Sequence, residues 1–146
     1  LSDTGRQRFE GCLEAMRERD VAFDEELDYR SVRFSYQDGY DATKSLLEDG
    51  REFTALFAAA DVMAIGAIRA LRDAGKRVPE DVSVVGFDGL AIGEYTVPRL
   101  STIRQDVAQL AARSLELLQA NISGQHLRCY ETVPVTLDWK ESARKI

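Results

Sequence analysis

The chain has 146 residues, enough for one domain with a real core. Hydrophobic residues make up 45% and charged residues 30%, the balance of a globular rather than a disordered chain. Its 25 acidic and 19 basic residues leave a net charge of −6 with no basic stripe, which argues against a DNA-binding surface built from clustered Lys and Arg.

In chain order, Leu1-Ser2-Asp3-Thr4-Gly5 reads as the tail of a strand running into a helix cap. A first helix is predicted from about Gly5 to Arg19, with Phe9, Cys12, Leu13 and Met16 on one face. Arg30 to Phe34 reads as a short strand, and Ser35 suits the cap of a helix ending before Gly50. Phe53 to Ala58 is almost wholly apolar and is expected as a central strand. Asp61 opens a helix that closes at Gly75, with Ala64, Ile65, Ile68 and Leu71 among its apolar positions. Val82 to Phe87 follows as a second buried strand. A short strand near Leu100–Ile103, a helix from about Val107 to Asn121, and an edge strand within Glu131–Asp138 complete the order. This helix–strand alternation is the signature of a parallel α/β sheet.

The segment Val82-Ser83-Val84-Val85-Gly86-Phe87-Asp88 stops on an acid, and Asp88-Gly89 breaks the strand at its carboxyl end. Ligands of open α/β sheets bind at that end, although Asp-Gly is equally ordinary turn chemistry. Before the strand stands Gly75-Lys76-Arg77-Val78-Pro79-Glu80-Asp81. After it stands Pro98-Arg99-Leu100-Ser101-Thr102-Ile103-Arg104-Gln105-Asp106. This ordered string closely resembles the effector-binding core of the LacI/GalR family of bacterial transcription regulators, most densely from Phe53 to Asp106.

The resemblance implies a periplasmic-binding-protein-like type I fold, in which two α/β lobes are joined by three crossovers and effector binds between them. Residues 1–100 and 130–146 would form the carboxyl-terminal lobe, a parallel sheet flanked by helices. Residues 101–123 would cross over and pack on the other lobe. The chain would then be a fragment without the DNA-binding module, the amino-terminal lobe and most of its first strand. The face carrying Val107, Leu110, Ala111, Leu115 and Leu118 would lack a partner, and would repack, pair with a second copy or stay mobile.

Five residues are carried over to the cleft. Arg8 matches a position whose guanidinium donates a forked pair of hydrogen bonds to effector; from the residues alone it is a solvated helix arginine, like Arg6. Phe34 stands where an aromatic packs on a ring face, or else it is core. Asp61 follows Ala60, where many relatives carry a ligand-binding Asn, so Asp61 is a ligand contact or only a helix N-cap. Asp88 matches the acid that grips effector hydroxyls, while Gly89 replaces a frequent second Asp. Gln105 lies at the crossover within reach of ligand, and Asp106 reads as a helix cap. Ile65, Ile68 and Tyr95 fall on the family's dimer face, with burial against the sheet as the alternative for Ile68.

Nothing supports catalysis: no Ser/His/Asp set, Cys/His pair, phosphate loop or metal spacing stands out. No cofactor is expected. Cys12 and Cys129 read as buried free thiols of a reducing cytoplasm, and His126 as a loop residue. No apolar run approaches the roughly 20 residues of a membrane span. The expected partners are a small polar effector, a second copy in a homodimer, and DNA only through a helix-turn-helix absent from this chain. The competing expectation is an extracytoplasmic sugar receptor of an importer, which shares the two-lobed fold.

Overall fold

The computed structural model describes residues 3–125 and 131–144. Cys129 and His126 lie outside the described residues.

Helix α1 (Asp3–Arg17) is followed by a single turn, α2 (Glu25–Asp28), which the apolar pattern did not announce. Asp24 caps that turn by accepting from the backbone of Glu26 and Leu27 at 3.0 and 3.3 Å. Ser35 caps α3 (Tyr36–Glu48) as expected, its hydroxyl accepting from the Asp38 backbone N–H at 3.0 Å. Strand β1 (Ala55–Phe57) leads to α4 (Asp61–Asp73), then β2 (Ser83–Asp88) and a 3-10 turn over Ala91–Tyr95. The chain continues through β3 (Ser101–Gln105), α5 (Val107–Ile122) and β4 (Val135–Asp138).

The sheet has the order β1-β2-β3-β4. The β1–β2 and β2–β3 pairs are parallel, with Leu56 opposite Val84 and Phe87 opposite Ile103. Strand β4 adds antiparallel to β3, with Ile103 opposite Leu137. Ala58, Ala64, Ile68, Leu71, Val82, Val84 and Leu100 form the buried cluster between α4 and the sheet. Ser142, fully buried, stitches the sheet's far end: its hydroxyl accepts from the Ser101 N–H at 2.8 Å and donates to the Val84 carbonyl at 2.6 Å.

Helices α3 and α4 touch backbone to backbone. A Cβ on Gly66 would lie 2.0 Å from the Tyr36 carbonyl oxygen, so only glycine permits this approach.

Two strand expectations are corrected. Arg30–Phe34 forms no strand, and β1 lies at the edge of the sheet rather than at its centre. Both have one cause. A strand needs neighbours for its N–H and C=O groups, and β1 pairs only with β2 among the described residues. Its other side faces an apolar cavity of about 720 Å³, lined by Phe9, Met16, Phe23, Val32, Leu56 and Phe57. The segment 30–34 lies across that cavity without a ladder partner. It is held instead by side-chain bonds, such as that from Arg30 to Asp49 at 2.5 Å.

Ile68 is 5% exposed and belongs to the core, which corrects its assignment to a surface; Ile65 packs against the same core. Tyr95 is 82% exposed, beside exposed Leu90, Ile92 and Val97. Helix α5 buries no residue, and Val107, Leu110, Leu115, Leu118 and Ile122 all face outward. No helix of the described residues is long and apolar enough to cross a membrane.

Candidate functional site

The carboxyl ends of β1, β2 and β3 converge on Asp88. It is the last residue of β2 and holds a φ of 122°, a conformation L-residues rarely adopt. Gly89 follows at φ 77°, and a Cβ there would lie 2.7 Å from the Arg104 side chain. The glycine that stands in place of a second acid is therefore demanded by the backbone and by Arg104.

Arg8 reaches this point from the first turns of α1. Its Nη1 donates to the Ala59 carbonyl at 2.5 Å, and its Nη2 lies 3.1 Å from Asp88 Oδ1. The guanidinium carbon stands 3.8 Å from the centre of the Phe87 ring and 5.9 Å from that of Phe34. A planar cation on an aromatic face is favourable, the more so as this side chain is largely buried. The fork expected to face ligand is thus engaged by the protein itself, so Arg8 acts first as an orienter of Asp88.

Gln105 Nε2 donates to the same Oδ1 at 2.8 Å. Asp88 Oδ2 accepts from no protein donor among the described residues and is not closed off from solvent. Burial pushes the Asp88 carboxyl above its usual range; Arg8 pulls it down, nearby Asp61 pushes it up, and burial prevails. Phe34, 44% exposed, presents ring surface beside Arg8.

Asp61 is placed differently from the other four. It is fully buried, and Ala60 occupies the cap position of α4 with no side-chain cap bond, which corrects the N-cap expectation. Its Oδ1 accepts from the Thr102 hydroxyl at 2.6 Å and its Oδ2 from the Leu90 N–H at 2.7 Å. Both oxygens are spent on holding β3 and the turn after Asp88. The structure therefore brings together Arg8, Phe34, Asp88 and Gln105, and sets Asp61 behind them as a brace.

Sequence reasoning missed two contributors. Phe87 reads as the last core residue of its strand, yet its ring carries Arg8. Thr102 bonds Asp61 across 41 positions, and no local spacing signals that pair. The cavity adjoins the site through Phe34 and Ala59, and it takes in Cys12, a free thiol whose pKa burial raises. No cluster of three or more His, Cys, Asp or Glu side chains able to hold a metal occurs among the described residues.

Comparison with known proteins places this geometry. Residues 2–143 match the periplasmic binding protein-like domain. The HTH-type transcriptional repressor PurR of Mannheimia succiniciproducens is 35% identical over 145 residues, 98% of this chain and 43% of the repressor. The regulator AscG of Escherichia coli is 40% identical over 109 residues, 75% of this chain and 32% of its own length. Among solved structures, the lac repressor dimer bound to operator and the anti-inducer ONPF matches with a TM-score of 0.89 at 30% identity. That match covers 96% of this chain and 48% of the repressor. The complex of CelR with cellobiose matches at 0.87 and 31% identity, over 93% of this chain and 42% of CelR. The chain spans less than half the length of these relatives. The chain belongs to the periplasmic binding protein-like domain family, and over nearly its whole length it is similar to a part of HTH-type transcriptional regulators and of the lac repressor.

Proposed function

We propose that this domain senses a small, neutral, polar effector, a sugar or sugar-like molecule, for a DNA-binding transcription regulator. The observation that carries the reading is the open Oδ2 of Asp88, at the end of a buried strand on a carboxylate that Arg8 and Gln105 orient. Such an oxygen takes a hydroxyl or ring N–H donor. Arg8 already balances the carboxylate's charge, so a neutral ligand suits the site better than an ion. Phe34 offers an apolar face for a ring. The sugars held by similar proteins, cellobiose by CelR and ribose by a LacI family regulator of Enterococcus faecium, support the class.

Closure of the two lobes over effector would bias one of two arrangements and so change operator affinity, a coupling of about 1–3 kcal/mol. DNA contact falls to a helix-turn-helix outside this chain, whose net charge is −6. A homodimer would form through the surface bearing the exposed residues Tyr95, Leu90, Ile92 and Val97. The protein would work in the cytoplasm and without catalysis. Kinship with HTH-type regulators favours this reading over an importer receptor.

The test is calorimetry of the intact protein with cellobiose, ribose and other neutral sugars, beside operator-DNA anisotropy. Asp88→Ala should weaken the recognised sugar by about 100-fold, as expected for losing charge-assisted hydrogen bonds, and should leave DNA binding in place. Retained sugar binding removes Asp88 from the site, and failure of the intact protein to bind DNA removes the regulator reading.

A further inference from the structure

Strand β2 presents alternate side chains to its two sides. On one side Val84 is buried in the core, and a Cβ on Gly86 would stand 2.3 Å from Asp61 Oδ1 of α4. Phe87 therefore belongs to the other side, where α1 brings Arg8. Its ring is only half-buried, yet the Arg8 guanidinium carbon stands 3.8 Å from its centre. That distance is close contact with the ring face, whereas the 5.9 Å to Phe34 is at the outer limit of such an interaction. Held there, the guanidinium turns Nη1 to the Ala59 carbonyl at 2.5 Å and Nη2 to Asp88 Oδ1 at 3.1 Å. A group that is planar and always charged is thus fixed by a ring, a backbone oxygen and a carboxylate at once.

We infer that Phe87 is a positioning residue that decides the charge of the ligand: by holding Arg8 on Asp88, it closes the site to anions and leaves it to neutral molecules. The inference deepens the effector reading above and rests on it for the place of the ligand at Asp88. A cation free to turn would offer its fork to a carboxylate or a phosphate, which it binds through two hydrogen bonds. A cation already paired with a carboxylate presents no net charge to such a ligand, and Asp88 beside it repels one. For Arg8 to reach an anion it must leave the ring, the Ala59 carbonyl and Asp88 together. Of these, only the ring can be removed without touching the backbone or the acid that meets the ligand.

The test first follows the Asp88 carboxyl carbon of the intact protein by NMR titration without ligand, in wild type, Phe87→Leu, Phe87→Met and Phe87→Tyr. Arg8 favours the charged form of that carboxyl and Asp61 opposes it. If the ring holds Arg8 in place, the Leu and Met variants release it, and the carboxyl titrates higher by about half a pH unit. If the ring is only packing, its loss admits water and the carboxyl titrates lower; a fall, or no change, overturns the inference. Phe87→Tyr keeps the aromatic face and should titrate as wild type. Calorimetry with inorganic phosphate and with gluconate then reads the selection itself. Phe87→Leu and Phe87→Met should bind these anions about tenfold more tightly than wild type, and Phe87→Tyr no more tightly. Absence of any gain overturns the inference even where the carboxyl titrates higher. Loss of folding in both the Leu and the Met variant also overturns it, since the ring would then be a core support. The effector reading fails separately, if sugar binding survives Asp88→Ala while the titration and the anion gain come out as expected.

Discussion

Replacing Asp61 by alanine tests how the ligand-facing turn is held. The carboxylate is fully buried, with the Thr102 hydroxyl on one oxygen and the Leu90 N–H on the other. Hydrogen bonds to a charged group contribute roughly 1.5–3 kcal/mol each, and donors orphaned by truncation lose that partner. Removing a buried charge relieves part of its desolvation cost, which offsets some of the loss. The net expectation for Asp61→Ala is a destabilisation of about 2–4 kcal/mol. Asparagine can keep its carbonyl on Leu90 while its amide donates to the Thr102 oxygen, so Asp61→Asn should cost about half as much or less. Urea unfolding reads the difference as a shift of midpoint at constant slope. With a slope of about 2 kcal/mol/M, alanine should lower the midpoint by about 1–2 M. A shift below about 0.3 M for alanine, or an asparagine variant weaker than the alanine one, would show that these two bonds do not brace the turn. Because Leu90 lies two residues beyond Asp88, the alanine variant should also bind effector more weakly.

Three further outcomes follow from the same geometry. Gly66→Ala must push α3 from α4, because its Cβ would meet the Tyr36 carbonyl at 2.0 Å and the Tyr40 nitrogen at 2.8 Å; a cost of about 1–3 kcal/mol should appear in the urea midpoint. Leu118→Gln, at a position 56% exposed, should change the stability of the isolated 146-residue chain by less than about 0.5 kcal/mol, and a larger loss in urea unfolding would mean that α5 packs against something. The third concerns pH. Burial raises the Asp88 carboxyl above 3.8, so the folded state takes up this proton more readily than the unfolded one. Its contribution to stability is greatest below 3.8 and declines as pH rises through the raised value. The stability of the wild type minus that of Asp88→Asn should fall over that window, and a rising difference would refute the sign.

What the sequence disclosed, and what it withheld, divides by the range of the interactions. Asp88 was legible because an apolar run, an acid and a glycine are adjacent in the chain, and their order alone predicts a strand end. The stop of α3 before Gly50 and the start of α5 after Asp106 were legible for the same local reason, cap chemistry. The role of Asp61 was not legible. A strand-to-helix acid looks like a cap, and only the parallel pairing of β2 and β3 brings Thr102 to it. Arg8 entered only through the family resemblance, and its bonds to Ala59 and Asp88 were not legible, since they depend on how α1 lies against the ends of β1 and β2.

The strand misassigned at 30–34 carries the same lesson with opposite sign. Val32 and Phe34 alternate as a strand should, and their side chains line the cavity beside β1. Alternation reports which side chains prefer burial, whereas a strand exists only where a neighbour accepts its hydrogen bonds. Apolar pattern and ladder are separate conditions. Where the first is met without the second, the backbone stays irregular and burial is partial, as in 30–34, where Val32 is half-buried and Phe34 exposed.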